Sequence, residues 1–253
     1  MERRGKTVKR MRWMNGWIVL LCAMFITLAG SLCVYAEDPQ PAEPIQNVHT
    51  IYWRAKLTTN VKKNGRVVLH DGQTVVVVNR NYKGGKSEVQ YDGGTVKVPN
   101  RYLHIYQDLC TAATEGDYND TTKLWFVNDK MHLQSKTNYL IWVSLDKQRV
   151  NVFTRGADGR WELVRAIKCS TGLPESPSRA GYHKCDFKAL WFRGCNFYVE
   201  YSGSGIHKWV RSDYKDIYKL GKHTASQSCI RVVRAQAKWL YKLIPVNTAI
   251  LVW

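Results

Sequence analysis

The chain has 253 residues, enough for one large or two modest domains. Its formal net charge is +18; the first 36 residues hold six Lys and Arg against the single acid Glu2, so +13 of the +18 remains on the rest. That balance calls for an anionic partner or surface, and the N-terminus excludes nucleic acid, leaving a cell wall or an anionic membrane face.

Residues 1–36 read as an export signal. Arg3, Arg4, Lys6, Lys9, Arg10 and Arg12 make a basic leader, and Trp17–Tyr35 is apolar and almost uncharged. Val34-Tyr35-Ala36 offers compact residues for cleavage before Glu37. Retention as a signal anchor stays open, because the apolar run approaches the roughly 20 residues that cross a bilayer. Either way the body of the protein is expected outside the cytoplasm, secreted to the cell wall or held at the outer face of the cytoplasmic membrane through residues 17–36.

Five of the seven cysteines lie beyond this segment: Cys110, Cys169, Cys185, Cys195 and Cys229. An odd number leaves at least one thiol unpaired. With Cys229 free, the other four allow two bridges in three pairings, or they stay reduced. The spacings contain no C-x-x-C, and His183-Lys184-Cys185 alone is too little for zinc, so neither a metal nor a cofactor is expected.

Residues 37–49, with Pro39, Pro41 and Pro44, form a semi-extended linker. Over 50–106 short β-prone runs follow: Tyr52–Thr58, Arg66–Leu69, Thr74–Arg80, Glu88–Tyr91 and Gly94–Val98. The turns Asn64-Gly65, Asp71-Gly72, Gly84-Gly85 and Asp92-Gly93 separate them, a spacing that predicts a small barrel. Asp71–Val78 followed by Val96-Lys97-Val98-Pro99 resembles a bacterial SH3-like domain; the resemblance implies a module that binds cell-wall peptides or glycans, and a spacer that binds nothing is the alternative. Residues 107–136 read as a connector in which Leu124-Trp125-Phe126-Val127 suggests an extra strand.

From 137 to 253 the pattern is again mainly β. Leu140–Leu145, Arg149–Arg155, Glu162–Ser170, Trp191–Phe192, Asn196–Tyr201 and Ala249–Val252 read as strands. Arg234–Leu243 reads as a helix with Ala237, Leu240 and Tyr241 on one face, stopped by Pro245, and a second helix is expected near Ser212–Tyr218.

Chemistry concentrates at Ser226-Gln227-Ser228-Cys229-Ile230-Arg231-Val232, a cysteine in a small polar turn ahead of that helix. A thiolate there gains from nearby cations and from a helix N-terminus. Gly205-Ile206-His207-Lys208 supplies an imidazole as its base, and His223 is the second candidate for that role. A third stretch is Ser170-Thr171-Gly172-Leu173-Pro174-Glu175-Ser176-Pro177-Ser178-Arg179-Ala180-Gly181.

Together these stretches, over residues 137–253, resemble the L,D-transpeptidases of the YkuD type, with their S-T-G-x-P-x-x-P-[ST]-x-x-G loop, I-H segment and S-H-G-C-I-R turn. The resemblance implies a β-sandwich-like catalytic domain with one or two helices. It implies that Cys229 attacks the amide between the third residue of a peptidoglycan stem and its terminal D-alanine. His207 is then general base and acid, with its tautomer fixed by the backbone carbonyl of Lys208. Backbone N–H groups of Gln227, Ser228 and Cys229 are the expected oxyanion donors. Arg231 is expected to bind a stem carboxylate or to shape the loop, and Ser170, Thr171, Gly172 and Trp209 to frame the substrate groove, with Tyr182 and Trp191 as further candidates for its lining.

The chain departs from the pattern at Gln227 and Ser228, where His and Gly are usual, and at Lys208, where a small residue is usual. If position 228 needs a positive φ, Ser there costs on the order of 1 kcal/mol. The expected activity is cross-linking of stem peptides by a monomer. An L,D-carboxypeptidase, in which water replaces the acceptor amine, and a catalytically inactive wall-binding protein are the alternatives. A sortase, which also pairs Cys with His and Arg, does not account for the S-T-G-x-P loop.

Overall fold

Tyr139–Ser144 (β8) and Ala249–Val252 (β16) are apolar on both faces because the sheet they share is covered on both sides. Alternate residues of β8 enter different cores: Ile141 and Val143 one, Leu140 and Trp142 the other. Each fully buried aliphatic side chain contributes about 1.5–3 kcal/mol, so these two strands anchor the domain. The computed structural model describes residues 45–253 except 49, 82, 106–112, 114–115 and 209–219. The export segment, residues 37–44 of the linker, Cys110, Trp209 and the helix expected near Ser212–Tyr218 lie outside the described residues.

The β8–β16 sheet is completed by Arg149–Arg155 (β9), Trp161–Lys168 (β10) and Gly181–Lys184 (β11), in the order β10-β9-β8-β16-β11. β8 and β16 run parallel and the other neighbours antiparallel. A second sheet has the order β12-β13-β14-β15, from Lys188–Phe192 (β12), Cys195–Tyr201 (β13), Ser204–Lys208 (β14) and Ile230–Val232 (β15). Val150, Ile167 and Ile250 of the first sheet share one core with Val199, Ile206 and Ile230 of the second. Ala237 and Leu240 of the helix Arg234–Leu243 (α2) close that core. The domain is a mainly β sandwich-like fold, as expected.

The connector corrects one expectation. Leu124–Val127 is helical: Asp120–Trp125 is a short helix (α1), followed by a wider turn over Phe126–Lys130. Asn119 caps it, its side chain accepting from the Thr122 amide at 2.7 Å. Phe126 and Val127 pack with Trp142 and Phe153 on the outer face of the first sheet. Nearby, the buried Lys123 ammonium lies 2.9 Å from Asp117.

Towards the N-terminus, Trp53–Leu57 (β1), Thr74–Asn79 (β4), Lys86–Tyr91 (β5), Gly94–Pro99 (β6) and Leu103–His104 (β7) make a sheet of order β6-β5-β4-β1-β7. Val61–Lys63 (β2) and Arg66–Leu69 (β3) form a hairpin around Asn64-Gly65, both at positive φ. Val75, Val77, Val89 and Val98 meet in one core with Ala55, Leu57, Val61 and Leu69.

Candidate active site

Two loops are zipped together beside the second sheet. Ser170 and Arg231 exchange backbone hydrogen bonds, both 2.9 Å, and Leu173 N–H donates to the Ser226 carbonyl at 2.8 Å. The amides of Ala225 and Ser226 both donate to the Thr171 carbonyl, at 3.0 and 3.1 Å. The fit requires glycine at 172, where a Cβ would stand 2.3 Å from the Ser176 carbonyl oxygen and 2.5 Å from the Ser178 nitrogen. The S-T-G loop is therefore the cradle of the cysteine turn.

Beneath it sits Gln148, fully buried in the β8–β9 turn. Its carboxamide accepts from the Thr171 amide at 2.8 Å, and donates to the Thr171 hydroxyl at 2.8 Å and the Leu145 carbonyl at 2.6 Å. Ser170 and Thr171 are themselves fully buried, and the Ser170 hydroxyl donates to the His223 carbonyl. Both side chains hold the loop from below.

At the turn, Ser228 has φ +68°, the left-handed conformation in which glycine is usual. Its carbonyl accepts from the hydroxyls of Ser178 at 2.7 Å and Ser204 at 3.0 Å. Its N–H donates to the Ser176 carbonyl at 2.9 Å. That amide is committed to the loop, which corrects its assignment as an oxyanion donor and leaves Gln227 and Cys229 as candidates. The Ser226 hydroxyl donates to the Cys229 carbonyl and closes the turn.

Cys229 is half-buried and directly precedes β15. β15 lies between it and α2, which begins at Arg234, so the helix dipole, effective over about one turn, does not act on this thiol as the sequence suggested. Arg231 is half-buried, and its guanidinium donates to the Ala225 carbonyl at 2.9 Å, so it shapes the same loop.

His207 lies on β14, which pairs in parallel with β15: Ile206 opposite Ile230, His207 opposite Arg231. The imidazole is buried, and its Nδ1 stands 2.7 Å from the Lys208 carbonyl oxygen. A carbonyl only accepts, so Nδ1 carries a hydrogen, which makes Nε2 the nitrogen that can act as base. The Tyr198 ring stacks on the imidazole, with centroids 5.8 Å apart and planes at 18°. Gly205 makes room for that ring, since a Cβ there would meet it at 2.2 Å. Burial, then the charge of Cys229, push the Tyr198 hydroxyl above the usual phenol range.

Three residues beyond the sequence-derived site belong to this geometry: Gln148, Tyr198 and Cys195, whose Sγ lies 3.6 Å from His207 Nε2. Extending the β13–β14 register by one pair sets Tyr198 opposite His207, and the Ser202-Gly203 turn between the strands is the signal that could have found it. Of the other lining candidates, Trp191 is exposed on β12, and Tyr182 on β11 donates to the Gln134 carbonyl.

In this mainly β domain a glycine-bearing loop, a histidine strand and a cysteine turn meet. The model of the YkuD family, the L,D-transpeptidase catalytic domain, matches residues 138–252. Among solved structures, the chain is similar to a fused Zn-dependent amidase/peptidase/peptidoglycan-binding-domain protein from Clostridium acetobutylicum, at 21% identity and TM-score 0.41 over 65% of this chain and 77% of the other. It is similar to an L,D-transpeptidase from Mycobacterium smegmatis, at 13% identity and TM-score 0.39 over 81% and 98%. A third similar structure is an L,D-transpeptidase from Stackebrandtia nassauensis, at 17% identity and TM-score 0.37; there the match spans 48% of this chain and 58% of the other. These whole-chain likenesses are loose. No curated protein matches the chain.

Proposed function

We propose that the protein is an exported peptidoglycan L,D-transpeptidase working through a cysteine acyl-enzyme. The observation that carries the reading is the His207 tautomer: Nδ1–H is held by the Lys208 carbonyl, so Nε2, which stands 3.6 Å from the Cys195 thiol, is the nitrogen that exchanges protons with the thiols on the strand beside the cysteine turn. His207 takes the Cys229 proton, and the sulfur adds to the carbonyl of the third stem residue. The amides of Gln227 and Cys229 receive the oxyanion. As the tetrahedral adduct collapses, the C–N bond breaks and the imidazolium protonates the departing D-alanine amine. A second stem's side-chain amine then attacks the thioester, loses its proton to His207, and releases Cys229. The basic body and the leader at residues 1–36 support action at an anionic wall, and the N-terminal β unit is read as an SH3-like module that holds the enzyme there.

The test is mass spectrometry of purified tetrapeptide stems incubated with the protein. Dimers joined through third residues, lost in Cys229→Ala and His207→Ala, are the expected result. Tripeptides alone would assign a carboxypeptidase, and unchanged stems would refute the enzyme reading.

A further inference from the structure

The acyl-transfer mechanism uses one thiol, Cys229, yet a second, Cys195, borders the His207 imidazole. Cys195 opens β13, next to the two-residue turn Arg193-Gly194, whose φ angles are +47° and +81°. The turn folds β12 back on β13 and brings the Cys195 Sγ to 3.6 Å from Nε2. Cys229 lies at the opposite edge of β14 from β13: Ile230 pairs with Ile206, and extending that register by one pair places Cys229 beside Gly205, two residues before His207.

We propose that Cys195 and Cys229 form a peroxide-sensitive dithiol, in which oxidation joins them as a disulfide and reversibly closes the acyl-transfer site. As a control of that site the inference rests on the reading of Cys229 as nucleophile. The oxidant is a hydroperoxide. The Cys229 thiolate attacks one peroxide oxygen, the O–O bond breaks, and the other oxygen leaves as water after taking a proton, so that Cys229 becomes the sulfenic acid. Cys195 then passes its proton to His207 Nε2 and attacks the Cys229 sulfur. The S–O bond breaks and hydroxide departs as water with the proton from the imidazolium. Two thiols and one peroxide become one disulfide and two waters.

The order of the two thiols follows from their surroundings. Burial first, and then a charge on Cys229, raise the Cys195 thiol above its ordinary value, while Arg231 opposes this. Cys195 therefore stays protonated while Cys229 reacts, and yields its proton when the imidazole accepts it. Cys169 and Cys185 are fully buried, and burial pushes both thiols up, that of Cys185 to about 11. Among the described cysteines, 195 and 229 are the reachable pair.

The experiment treats the purified reduced chain with a small excess of hydrogen peroxide and follows two separate readouts. Peptide mapping without reductant is expected to find one new species, Cys195 joined to Cys229, with the chain lighter by two hydrogens. Acylation of Cys229 by a carbapenem, read by intact mass, is expected to fall at least tenfold and to return when dithiothreitol is added. In Cys195→Ala and Cys195→Ser the sulfenic acid has no resolving thiol. Peroxide should then carry Cys229 past the sulfenic acid to the sulfinic and sulfonic acids, gains of two and three oxygens in the intact mass, and dithiothreitol, which reduces a sulfenic acid but neither of these, should restore little of each variant's own starting rate. A disulfide to another cysteine, or full recovery in both Cys195 variants, would overturn the proposal. If the reduced chain maps the disulfide but never acylates, the acyl-transfer reading falls and the linkage stands.

Discussion

Replacing Gln148 with methionine removes the support of the S-T-G loop while keeping the length of the side chain and an unbranched stem. Gln148 already sits at φ +53°, and methionine meets the same backbone demand, so the change isolates the carboxamide. In the wild type that group makes three hydrogen bonds, two of them to the backbone groups Thr171 N–H and Leu145 C=O, in a place sealed from water. Stranding a buried donor or acceptor costs about 1–3 kcal/mol. The carbonyl keeps a second lone pair and the Thr171 hydroxyl can turn, so the expected loss is about 2–4 kcal/mol. For a domain of this size each kcal/mol lowers Tm by roughly 2–4 °C, which predicts a fall of roughly 5–15 °C. The loop also cradles the cysteine turn, so carbapenem acylation of Cys229 should slow by about tenfold, a barrier change of about 1.4 kcal/mol. Differential scanning calorimetry and intact-mass kinetics read the two effects. A Tm within about 1 °C of wild type, with unchanged acylation, would refute the reasoning.

Two more substitutions probe the turn itself. Ser228→Gly removes the left-handed penalty, of about 1–2 kcal/mol, at the cost of a more flexible unfolded chain, of about 0.5–1 kcal/mol; the net expectation is a Tm higher by roughly 1–4 °C, and a lower Tm would show that the Ser228 side chain stabilises the turn. Gly172→Ala sets a methyl group against the backbone of Ser176 and Ser178, which cannot swing aside as a side chain can; Tm should fall by several degrees with a loss of acylation, and a crystal structure with the loop unmoved would contradict the argument.

Four of the five strands of the first sheet, and α2, were legible because their apolar spacing is long and regular; β11, Gly181–Lys184, was missed because it is half exposed and polar. Leu124–Val127 was misread because a short apolar run looks alike in a buried strand and a buried helical turn. The Asn119 cap was the sign that separated them. β14 escaped notice because Ser204-Gly205-Ile206-His207-Lys208 has little β propensity; its place comes from pairing on both edges, with β13 and β15. Cys229 and His207 stood out as residue types, but Cys195 looked like one more bridge candidate. Its approach to the imidazole depends on a hairpin turn and on the placement of a neighbouring strand, neither of which is written in the residues around it. Gln148 was silent for a related reason: a polar residue in a β-turn is ordinary until the turn is buried under a loop twenty-three positions away.

The departure at Ser228 is where sequence and structure meet most closely. The position does need a positive φ, so the serine carries strain of about 1–2 kcal/mol. Against that, its peptide groups make three hydrogen bonds: from its own amide to Ser176, and to its carbonyl from Ser178 and Ser204. At about 0.5–1.5 kcal/mol each, these match or exceed the strain. They also come from two directions, the S-T-G loop on one side and β14 on the other. Ser204 and His207 stand on the same short strand, so the element that presents the imidazole also holds the carbonyl immediately before Cys229. A displacement of β14 would carry base and nucleophile together and preserve their relation. A serine can therefore stand where glycine is usual without loosening the site, because the turn is fixed by its neighbours rather than by its own backbone preference.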